Sequence, residues 1–242
     1  MHVETHYRAM IKAISYRVFG SAITACIIYF FVGRIDFAVA GGLADALAKI
    51  LAFYLHERLW NKIKFGKKRI EPFNLWFTGL PLSGKTTIAD KVFEELKKIG
   101  IPVERIDSKD IRDLIPQTGF SRDDRNNHMC RVGHLIKTLQ NNSISTVASF
   151  VSPYKESRKT IREMVKNNVV VYIKADIESC KARDYKGVYE KAIKGELSNF
   201  PGINDVYDEP QKAEIVIDTD KVSADEAAEI IVKYLKKGYI KS

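Results

Sequence analysis

Hydrophobic and polar positions divide the chain into two parts with different patterns. In the first seventy residues, two long apolar runs at 18–33 and 37–55 are separated by a short polar turn, GRID, at 33–36. The first run has no charged residue and approaches the length that an α-helix needs to cross a bilayer. The pattern predicts an N-terminal α-helical membrane hairpin with basic flanks over residues 1–70.

The second apolar run is the weaker candidate for a membrane span. It contains Asp45 and Lys49, which lie about one helical turn apart and can form an ion pair on one helix face. Such a pair inside a membrane faces protein or water rather than lipid. A helical hairpin buried in a soluble protein is the alternative, because short apolar runs also form protein cores.

The rest of the chain alternates between apolar strand patterns and amphipathic helix patterns. Strands are predicted at 74–78, 103–107, 145–151, 169–174 and 214–218. Helices are predicted at 85–98, 122–140, 156–166 and 225–235. This alternation predicts one α/β domain over residues 71–242, with a parallel sheet covered by helices on both faces.

Segment 175–210 lacks the apolar periodicity of a helix or a strand. It is rich in glycine, aromatic and charged residues, and it includes Arg183, Lys186 and Lys191. A stretch of this length without regular structure is unusual in a compact domain unless it has a function. We therefore expect a mobile lid that brings these cations over bound phosphates, with an ordinary surface loop as the alternative.

Composition narrows the class of protein. Hydrophobic residues make up 45% and charged residues 29% of the 242-residue chain, which excludes a disordered or fibrous protein. The three cysteines, Cys26, Cys130 and Cys180, are scattered along the chain. They are too few for a disulfide framework or a zinc cluster, and they favour a reducing, cytosolic setting.

Most of the net charge of +9 belongs to the first part of the chain. Residues 1–72 hold 11 lysines and arginines against 5 acidic residues, so six of the nine charges lie there. The basic residues flank the apolar runs, which by the positive-inside rule places both ends of the hairpin in the cytoplasm. Segment 56–69, with Trp60 among basic residues, suits anionic headgroups. We therefore expect attachment to membrane lipid, the rest of the chain on the cytoplasmic side, and no binding to nucleic acid.

A phosphate-binding motif follows the first predicted strand of the α/β domain. GLPLSGKT at 79–86 fits the pattern G-x-x-x-x-G-K-[ST] and opens a predicted helix. In that position the backbone N–H groups of 82–86 cradle phosphates. Lys85 is expected to neutralise the β- and γ-phosphates of ATP, and the Thr86 hydroxyl is expected to ligate Mg²⁺.

An acidic residue, Asp107, ends the next predicted strand at 103–107. In open α/β sheets, substrates bind beyond the carboxyl ends of the strands. Asp107 is therefore placed to orient Mg²⁺ or to accept a proton from an acceptor hydroxyl. The alternative is an acid that only caps the start of the following helix.

Five segments together resemble the adenylylsulfate kinase family over about residues 72–240. They are NLWFTGLPLSGKTTIA (74–89), GFSRDDR (119–125), RVGH (131–134), FVSPYKESR (150–158) and KARDYKGVYEKAIKGELSNFPGINDVYDEP (181–210). The resemblance implies a phosphate-loop NTPase-type fold and transfer of the γ-phosphoryl group of ATP to the 3′-hydroxyl of adenosine 5′-phosphosulfate (adenylyl sulfate). Segments 12–24 and 52–66 resemble a functionally uncharacterised two-helix membrane domain family, which implies membrane attachment.

The resemblance to adenylylsulfate kinases also implies a role for each matching residue. The implied catalytic residues are Lys85, Asp107 and Ser152, the last at the family's phosphoserine position. The implied ATP-binding residues are Gly79, Leu82, Ser83, Gly84, Lys85, Thr86, Thr87 and Arg183, with Thr86 also binding Mg²⁺. The implied acceptor-binding residues are Arg112, Arg125, His128, Phe150, Val151, Lys186 and Phe200. Arginine paired with sulfate or phosphate and an aromatic ring on adenine are chemically sensible contacts.

The sequence departs from the family pattern on the acceptor side. Lys109 replaces the second acid of the family's D-G-D-N segment, with Asp110 one position further along. His128 stands where an acceptor-binding asparagine is expected, and Cys130 replaces an arginine. Two alternatives therefore stay open: a kinase for a different small nucleotide conjugate, and a degenerate nucleotide-binding membrane scaffold. The sequence also leaves open whether the chain forms a homodimer.

Overall fold

The chain forms two compact units, Met1–Arg69 and Ile70–Lys241. The computed structural model describes residues 2–4, 6–31, 36–63, 67–69, 71–114 and 119–240. Of the predicted turn at 33–36, only Asp36 belongs to the described residues. The side chain of Asp45, for which an ion pair with Lys49 was considered, also lies outside them.

The first unit consists of two long helices and two short strands. Its elements are β1 (His2–Glu4), α1 (His6–Phe31), α2 (Asp36–Lys62) and β2 (Lys67–Arg69). The two helices lie where the sequence predicts them: α1 begins before the first apolar run and ends within it, and α2 extends beyond both ends of the second run. The two strands were not predicted; they pair antiparallel, with His2 opposite Arg69.

Polar side chains join the start of α1 to the end of α2. The contacts run from the Arg8 guanidinium to the carbonyls of Trp60 and Ile63, from Lys12 to Glu57 at 2.7 Å, and from Ser15 to His56 at 2.8 Å. Large apolar side chains of both helices are exposed instead, among them Met10, Ile14, Val18, Phe19, Leu47, Ile50, Leu51 and Leu55. No helix in the described part of the chain combines the length and the apolar character of a membrane-crossing helix.

The second unit is built on a five-stranded sheet. Its strands are β3 (Asn74–Thr78), β4 (Val103–Asp107), β5 (Ser145–Ser149), β6 (Asn168–Lys174) and β7 (Ile215–Asp218). They lie in the order β4-β5-β3-β6-β7, and every neighbouring pair is parallel. The central strand β3 therefore has β5 on one side and β6 on the other, with Trp76 opposite both Ala148 and Val170.

Seven helices are described in this unit. They are α3 (Lys85–Lys98), α4 (Ser108–Leu114), α5 (Arg122–Asn141), α6 (Lys155–Met164), α7 (Ile177–Ala182), α8 (Val188–Ile193) and α9 (Ala224–Gly238). Capping boxes fix the starts of α5 and α9, where Ser121 and Ser223 each exchange hydrogen bonds with an acid three residues on. The predicted α/β fold with a parallel sheet is confirmed.

Alternating residues of β3 supply two hydrophobic cores, one on each face of the sheet. Leu75 and Phe77 pack with buried residues of α3 and α9. Trp76 points to the other face and packs with buried residues of α5 and α6. Because both faces are covered, β3 is apolar on both sides, as expected of a central parallel strand. This rigid strand ends directly at the phosphate-binding motif.

The prediction of a lid without regular structure is wrong in part. Segment 175–210 contains α7 and α8, each six residues long. The helices bury few apolar residues, Cys180 in α7 and Tyr189 and Ala192 in α8. Such short helices leave no detectable periodicity in a sequence, because fewer than two turns are sampled. The strand predicted at 145–151 also ends earlier, at Ser149.

Candidate active site

The loop between β3 and α3 owes its shape to two glycines. A side chain on Gly79 would place its Cβ 2.3 Å from the carbonyl oxygen of Ile173, which leaves room for hydrogen alone. Gly84 is the N-cap of α3 with φ of 96°, a left-handed conformation that favours glycine. Leu82 between them also has a positive φ, 61°. The backbone amides of the loop are thereby curled around the start of α3.

Lys85 extends back over this loop. Its ammonium donates a hydrogen bond of 2.6 Å to the carbonyl of Leu80 and lies 3.5 Å from Oγ of Ser83. The residue is only 8% exposed, and burial lowers the pKa of Lys85 to about 8, against smaller opposing effects of Cys180 and Asp107. One carbonyl does not offset the hydration that a buried ammonium has lost. A phosphate that binds there would therefore gain a strong interaction with Lys85.

Three oxygen-bearing side chains meet beside Lys85. Oγ1 of Thr86 lies 3.2 Å from Oδ2 of Asp107 and 3.4 Å from Oγ of Ser149. The other oxygen of Asp107 accepts the backbone N–H of Lys109 at 2.9 Å, so Asp107 also caps the start of α4. Ser149 was not predicted from the sequence. Its place follows from the strand register, which sets Asp107 opposite Ser149.

These hard oxygen donors suit Mg²⁺, which prefers carboxylate and hydroxyl oxygens. The described residues include no group of three or more His, Cys, Asp or Glu side chains that could enclose a metal ion by themselves. In phosphate-transferring proteins, one or two side chains usually hold magnesium together with substrate phosphates. Thr86 and Asp107 therefore fit a magnesium ion that arrives with a nucleotide.

Ser152 occupies a buried turn just beyond β5. The residue is 3% exposed and has a positive φ of 36°. Its hydroxyl accepts a hydrogen bond from Nε1 of Trp76 and donates one to Oγ1 of Thr78, both at 3.0 Å. The hydroxyl proton is thus engaged inside the protein, and the catalytic role implied for Ser152 stays a prediction.

Two of the predicted acceptor-binding arginines meet at one aromatic ring. The guanidinium carbons of Arg112 and Arg125 lie 4.4 and 5.4 Å from the ring centroid of Phe120. Arg125 also donates a 2.7 Å hydrogen bond to the carbonyl of Asn199. Burial lowers the pKa of both guanidiniums, which nevertheless stay charged at neutral pH. The half-exposed Phe120 was not singled out in the sequence and is part of this cluster.

His128 and Phe150 lie deeper on the same side. Phe150 stacks on Trp76 with the centroids 5.1 Å apart, and the His128 ring meets its edge at 6.0 Å. Within the described residues, neither ring nitrogen of His128 has a hydrogen-bond partner, although the residue is fully buried. Burial, followed by the charges of Arg112 and Arg131, lowers the pKa of His128 to about 4. The imidazole is therefore neutral at physiological pH. The neighbouring Val151 contributes its carbonyl, which accepts the Thr78 hydroxyl at 2.8 Å.

Segment 175–210 contacts the phosphate loop at several points. Arg183 donates to Oγ1 of Thr219 at 2.9 Å, and that hydroxyl donates to the carbonyl of Ser83 at 3.1 Å. The Tyr189 hydroxyl donates to the carbonyl of Pro81 at 2.8 Å, and the Phe200 ring packs edge-on against Tyr189. The structure thus links Arg183 to the loop through Thr219 and Phe200 to the loop through Tyr189.

The remaining predicted residues of the loop and the lid are exposed. Thr87 lies on the first turn of α3 with an exposed side chain. Lys186 is also exposed, with its ammonium 5.3 Å from the ring of Tyr185. Both are therefore accessible to a ligand.

A phosphate loop after the central strand, a buried lysine on that loop and a threonine–aspartate pair beside it define a phosphate-loop nucleotide-binding protein. Residues 71–218 match the sequence family described as "Adenylylsulphate kinase", and residues 10–61 match the family described as "Predicted membrane protein (DUF2061)".

Relatives with this family name cover most of the second unit. The "Adenylyl-sulfate kinase" of Halothermothrix orenii is 42% identical over 168 residues, which are 69% of this chain and 91% of that protein. That of Thermodesulfovibrio yellowstonii is 44% identical, over 68% of this chain and 84% of that protein. The chain therefore belongs to the adenylylsulfate kinase family and is an ATP-dependent kinase.

A solved structure has the same fold. It is described as the Mycobacterium tuberculosis APS kinase CysC in complex with AMPPNP and APS. The match has a TM-score of 0.66 and 29% sequence identity, and it covers 69% of this chain and 99% of that chain.

Proposed function

We propose that this chain transfers the γ-phosphoryl group of ATP to the 3′-hydroxyl of adenosine 5′-phosphosulfate, giving 3′-phosphoadenylyl sulfate. The proposal rests chiefly on one observation, the meeting of Lys85, Thr86 and Asp107 at the carboxyl ends of β3 and β4. Family membership supports the choice of reaction. The paired guanidiniums of Arg112 and Arg125 support an anionic acceptor.

Each group of residues has a separate role in phosphoryl transfer. The amides of the phosphate loop and Lys85 bind the β- and γ-phosphates of ATP. Thr86 would hold Mg²⁺, which when bound would neutralise phosphate charge. Arg183 lies on the nucleotide side, since it is linked through Thr219 to the loop. Arg112 and Arg125 bind the acceptor's anionic groups.

Asp107 accepts the proton of the acceptor's 3′-hydroxyl in this proposal. The 3′-oxygen then forms a bond to the γ-phosphorus, while the bond from that phosphorus to the β–γ bridging oxygen breaks and ADP leaves. Lys85 stabilises the charge that develops on the transferred group. Positioning and charge compensation supply most of the rate enhancement in such reactions.

The departures on the acceptor side favour a second candidate, a kinase for another small nucleotide conjugate. His128 is buried, neutral and without a described hydrogen-bond partner at the position where the family has asparagine. A neutral imidazole has one donor and one acceptor, so it can replace part of an amide's hydrogen bonding. An acceptor with a different base or anionic group would contact this side of the site.

The test is an assay of the purified full-length chain with ATP, Mg²⁺ and adenylyl sulfate. We expect ADP and 3′-phosphoadenylyl sulfate to form in equal amounts, as separated by anion-exchange chromatography. ATP binding without transfer to adenylyl sulfate would contradict the proposal. Transfer to a different 5′-nucleotide conjugate would then identify the second candidate, and no transfer to any acceptor would favour a nucleotide-binding scaffold.

We also propose that residues 1–70 attach the kinase to membrane lipid, with the kinase domain over 71–242 on the cytoplasmic side. Four observations support this proposal. The segment has basic flanks and matches a family of predicted membrane proteins. Its helices contact each other through polar groups and expose large apolar side chains. Apolar side chains facing outward and polar contacts facing inward suit a lipid environment better than water.

Removing residues 1–70 is expected to abolish membrane binding and to preserve kinase activity. The phosphate loop, Asp107 and the arginine cluster all lie in the second unit, which has its own two cores. Flotation with vesicles of phosphatidylcholine and phosphatidylserine measures binding, and the ADP assay measures activity. The control is the full-length chain with pure phosphatidylcholine vesicles, which should bind less because they lack anionic headgroups. Equal flotation of the full-length chain and the chain without residues 1–70 would refute attachment through residues 1–70.

At a pH above the pKa of Lys85, the protein is expected to take up a proton when it binds a nucleotide. At about pH 9 most of the free protein has a neutral Lys85, because its pKa is lowered to about 8. The negative charge of bound phosphates raises this pKa again, so the lysine gains a proton. Calorimetry of ATP binding in buffers with different protonation enthalpies measures the uptake. It should vanish at about pH 6, where Lys85 is already charged, and in Lys85→Met. Equal binding heats in all buffers at the higher pH would contradict the prediction.

A further inference from the structure

A group of hydrogen bonds around Arg158 joins two separate parts of the candidate active site. Arg158 lies in α6 and is 8% exposed. One guanidinium nitrogen donates to the carbonyl of Ser152 at 2.6 Å, and the other donates to the carbonyl of Asp208. The planar fork of an arginine can bind two acceptors at once, which a single ammonium cannot reproduce in the same geometry. Arg158 thus connects the turn after β5 to the last residues of segment 175–210.

Other contacts bind the same two segments together. The backbone N–H of Asp208 donates to the carbonyl of Pro153 at 2.8 Å, and its carboxylate accepts the N–H of Lys155 at 3.1 Å. The hydroxyl of Tyr154 donates to Asp205 at 2.6 Å. These hydrogen bonds fix how residues 153–155 lie against residues 205–208.

Each end of the Arg158 connection leads to a different part of the site. Ser152 has the positive φ of a strained non-glycine residue, and its hydroxyl bonds to Thr78, the residue before the phosphate loop. On the other side, the Asp208 segment follows Asn199, whose carbonyl binds Arg125 of the predicted acceptor site. Arg158 therefore contacts, through one side chain, both the turn at Ser152 and the segment that contains Asp208.

We propose that Arg158 is a positioning residue, which holds the acceptor side of the site in its active geometry by binding the carbonyls of Ser152 and Asp208. It acts through these backbone groups and touches no reacting atom. The inference rests on the proposed function, since it concerns the binding of that acceptor. The nucleotide side has further contacts of its own, in which Leu80 binds Lys85 and Thr219 binds Arg183, so we expect it to depend less on this connection than the acceptor side does.

The experiment compares Arg158→Gln and Arg158→Lys with the full-length wild-type chain. For Arg158→Gln we expect kcat/KM for adenylyl sulfate to fall by about tenfold or more, because two charge-assisted hydrogen bonds are lost. The KM for ATP should change little. Arg158→Lys keeps the charge but binds one carbonyl, so it should restore part of the loss. The matched control is Arg162→Gln. Arg162 lies one turn further along α6 and binds the carbonyl of Lys212 and the carboxylate of Glu214. This variant should behave like wild type.

The outcomes separate this inference from the proposed function. Absence of transfer by the wild-type chain would contradict the proposed function itself. If the wild type is active, unchanged kcat/KM for adenylyl sulfate in a folded Arg158→Gln would overturn the role of Arg158. An equal rise of the KM values for ATP and adenylyl sulfate would overturn it as well, since that indicates a general structural loss. If Arg158→Gln does not fold, Arg158→Lys decides: an unchanged KM for adenylyl sulfate refutes the proposal, and a selective rise supports it.

Discussion

Replacing Lys85 with alanine is expected to lower kcat by about a thousandfold or more, the scale seen when a preorganised charge-stabilising donor is removed from an active site. Lys85 is buried over the phosphate loop, and its ammonium is hydrogen-bonded to a single backbone carbonyl, that of Leu80. The ammonium is therefore available to the phosphates of ATP. The measurement is the initial rate of ADP formation that depends on the acceptor.

A matched control for Lys85→Ala lies on the same helix. Lys91 in α3 forms an exposed ion pair with Asp225 at 2.6 Å, and exposed pairs of this kind contribute little to stability. Lys91→Ala should keep the wild-type rate. Thermal unfolding of Lys85→Ala should stay close to wild type, because the substitution removes a buried, poorly compensated charge. A folded Lys85→Ala with a rate within a few-fold of wild type would refute the assignment of the whole site.

Replacing Asp107 with asparagine is expected to lower kcat by about a hundredfold or more. The substitution keeps the shape of the side chain, and the amide oxygen can still accept the N–H of Lys109 that caps α4. It removes the negative charge beside Thr86 and the ability to take a proton. We therefore expect a loss of rate and a higher Mg²⁺ requirement without a loss of the fold. Both are measured from rates over a range of Mg²⁺ concentrations.

The control for Asp107→Asn is Asp90→Asn, because Asp90 and Asp107 both form an ion pair with Arg105. Arg105 forms ion pairs with both Asp90 and Asp107, the latter at 3.6 Å. Asp90→Asn therefore also removes one charge next to Arg105, but at a residue with no predicted role in the site. A similar loss of rate in both variants would mean that Asp107 acts only through Arg105. An unchanged rate in Asp107→Asn would exclude it as proton acceptor.

The strands and the phosphate loop were predictable because local patterns determine them. An apolar run such as 74–78 is long enough to be recognised, and the loop motif follows it directly. Ser149 was not predictable, since its place beside Thr86 depends on the register between β4 and β5. No local pattern in a sequence encodes the pairing of residues more than forty positions apart.

The residues of the predicted acceptor side were proposed only through the family resemblance. The meeting of Arg112 and Arg125 at Phe120 depends on how α4 and α5 pack, which periodicity does not fix. The same limit explains the segment 175–210, where tertiary contacts such as Tyr189 with Pro81 stabilise two very short helices. Isolated helices of this length are unstable in water, so local propensity gives no signal for them.

The position of Trp76 gives the kinase domain a built-in optical reporter. The chain has two tryptophans, Trp60 and Trp76, and only Trp76 belongs to residues 71–242. Its indole stacks on Phe150 and donates a hydrogen bond to Ser152. Indole fluorescence depends on such contacts, so emission from a chain of residues 71–242 reports directly on the turn that adjoins both the phosphate loop and the acceptor side. Ligand titrations can therefore be followed without an added label.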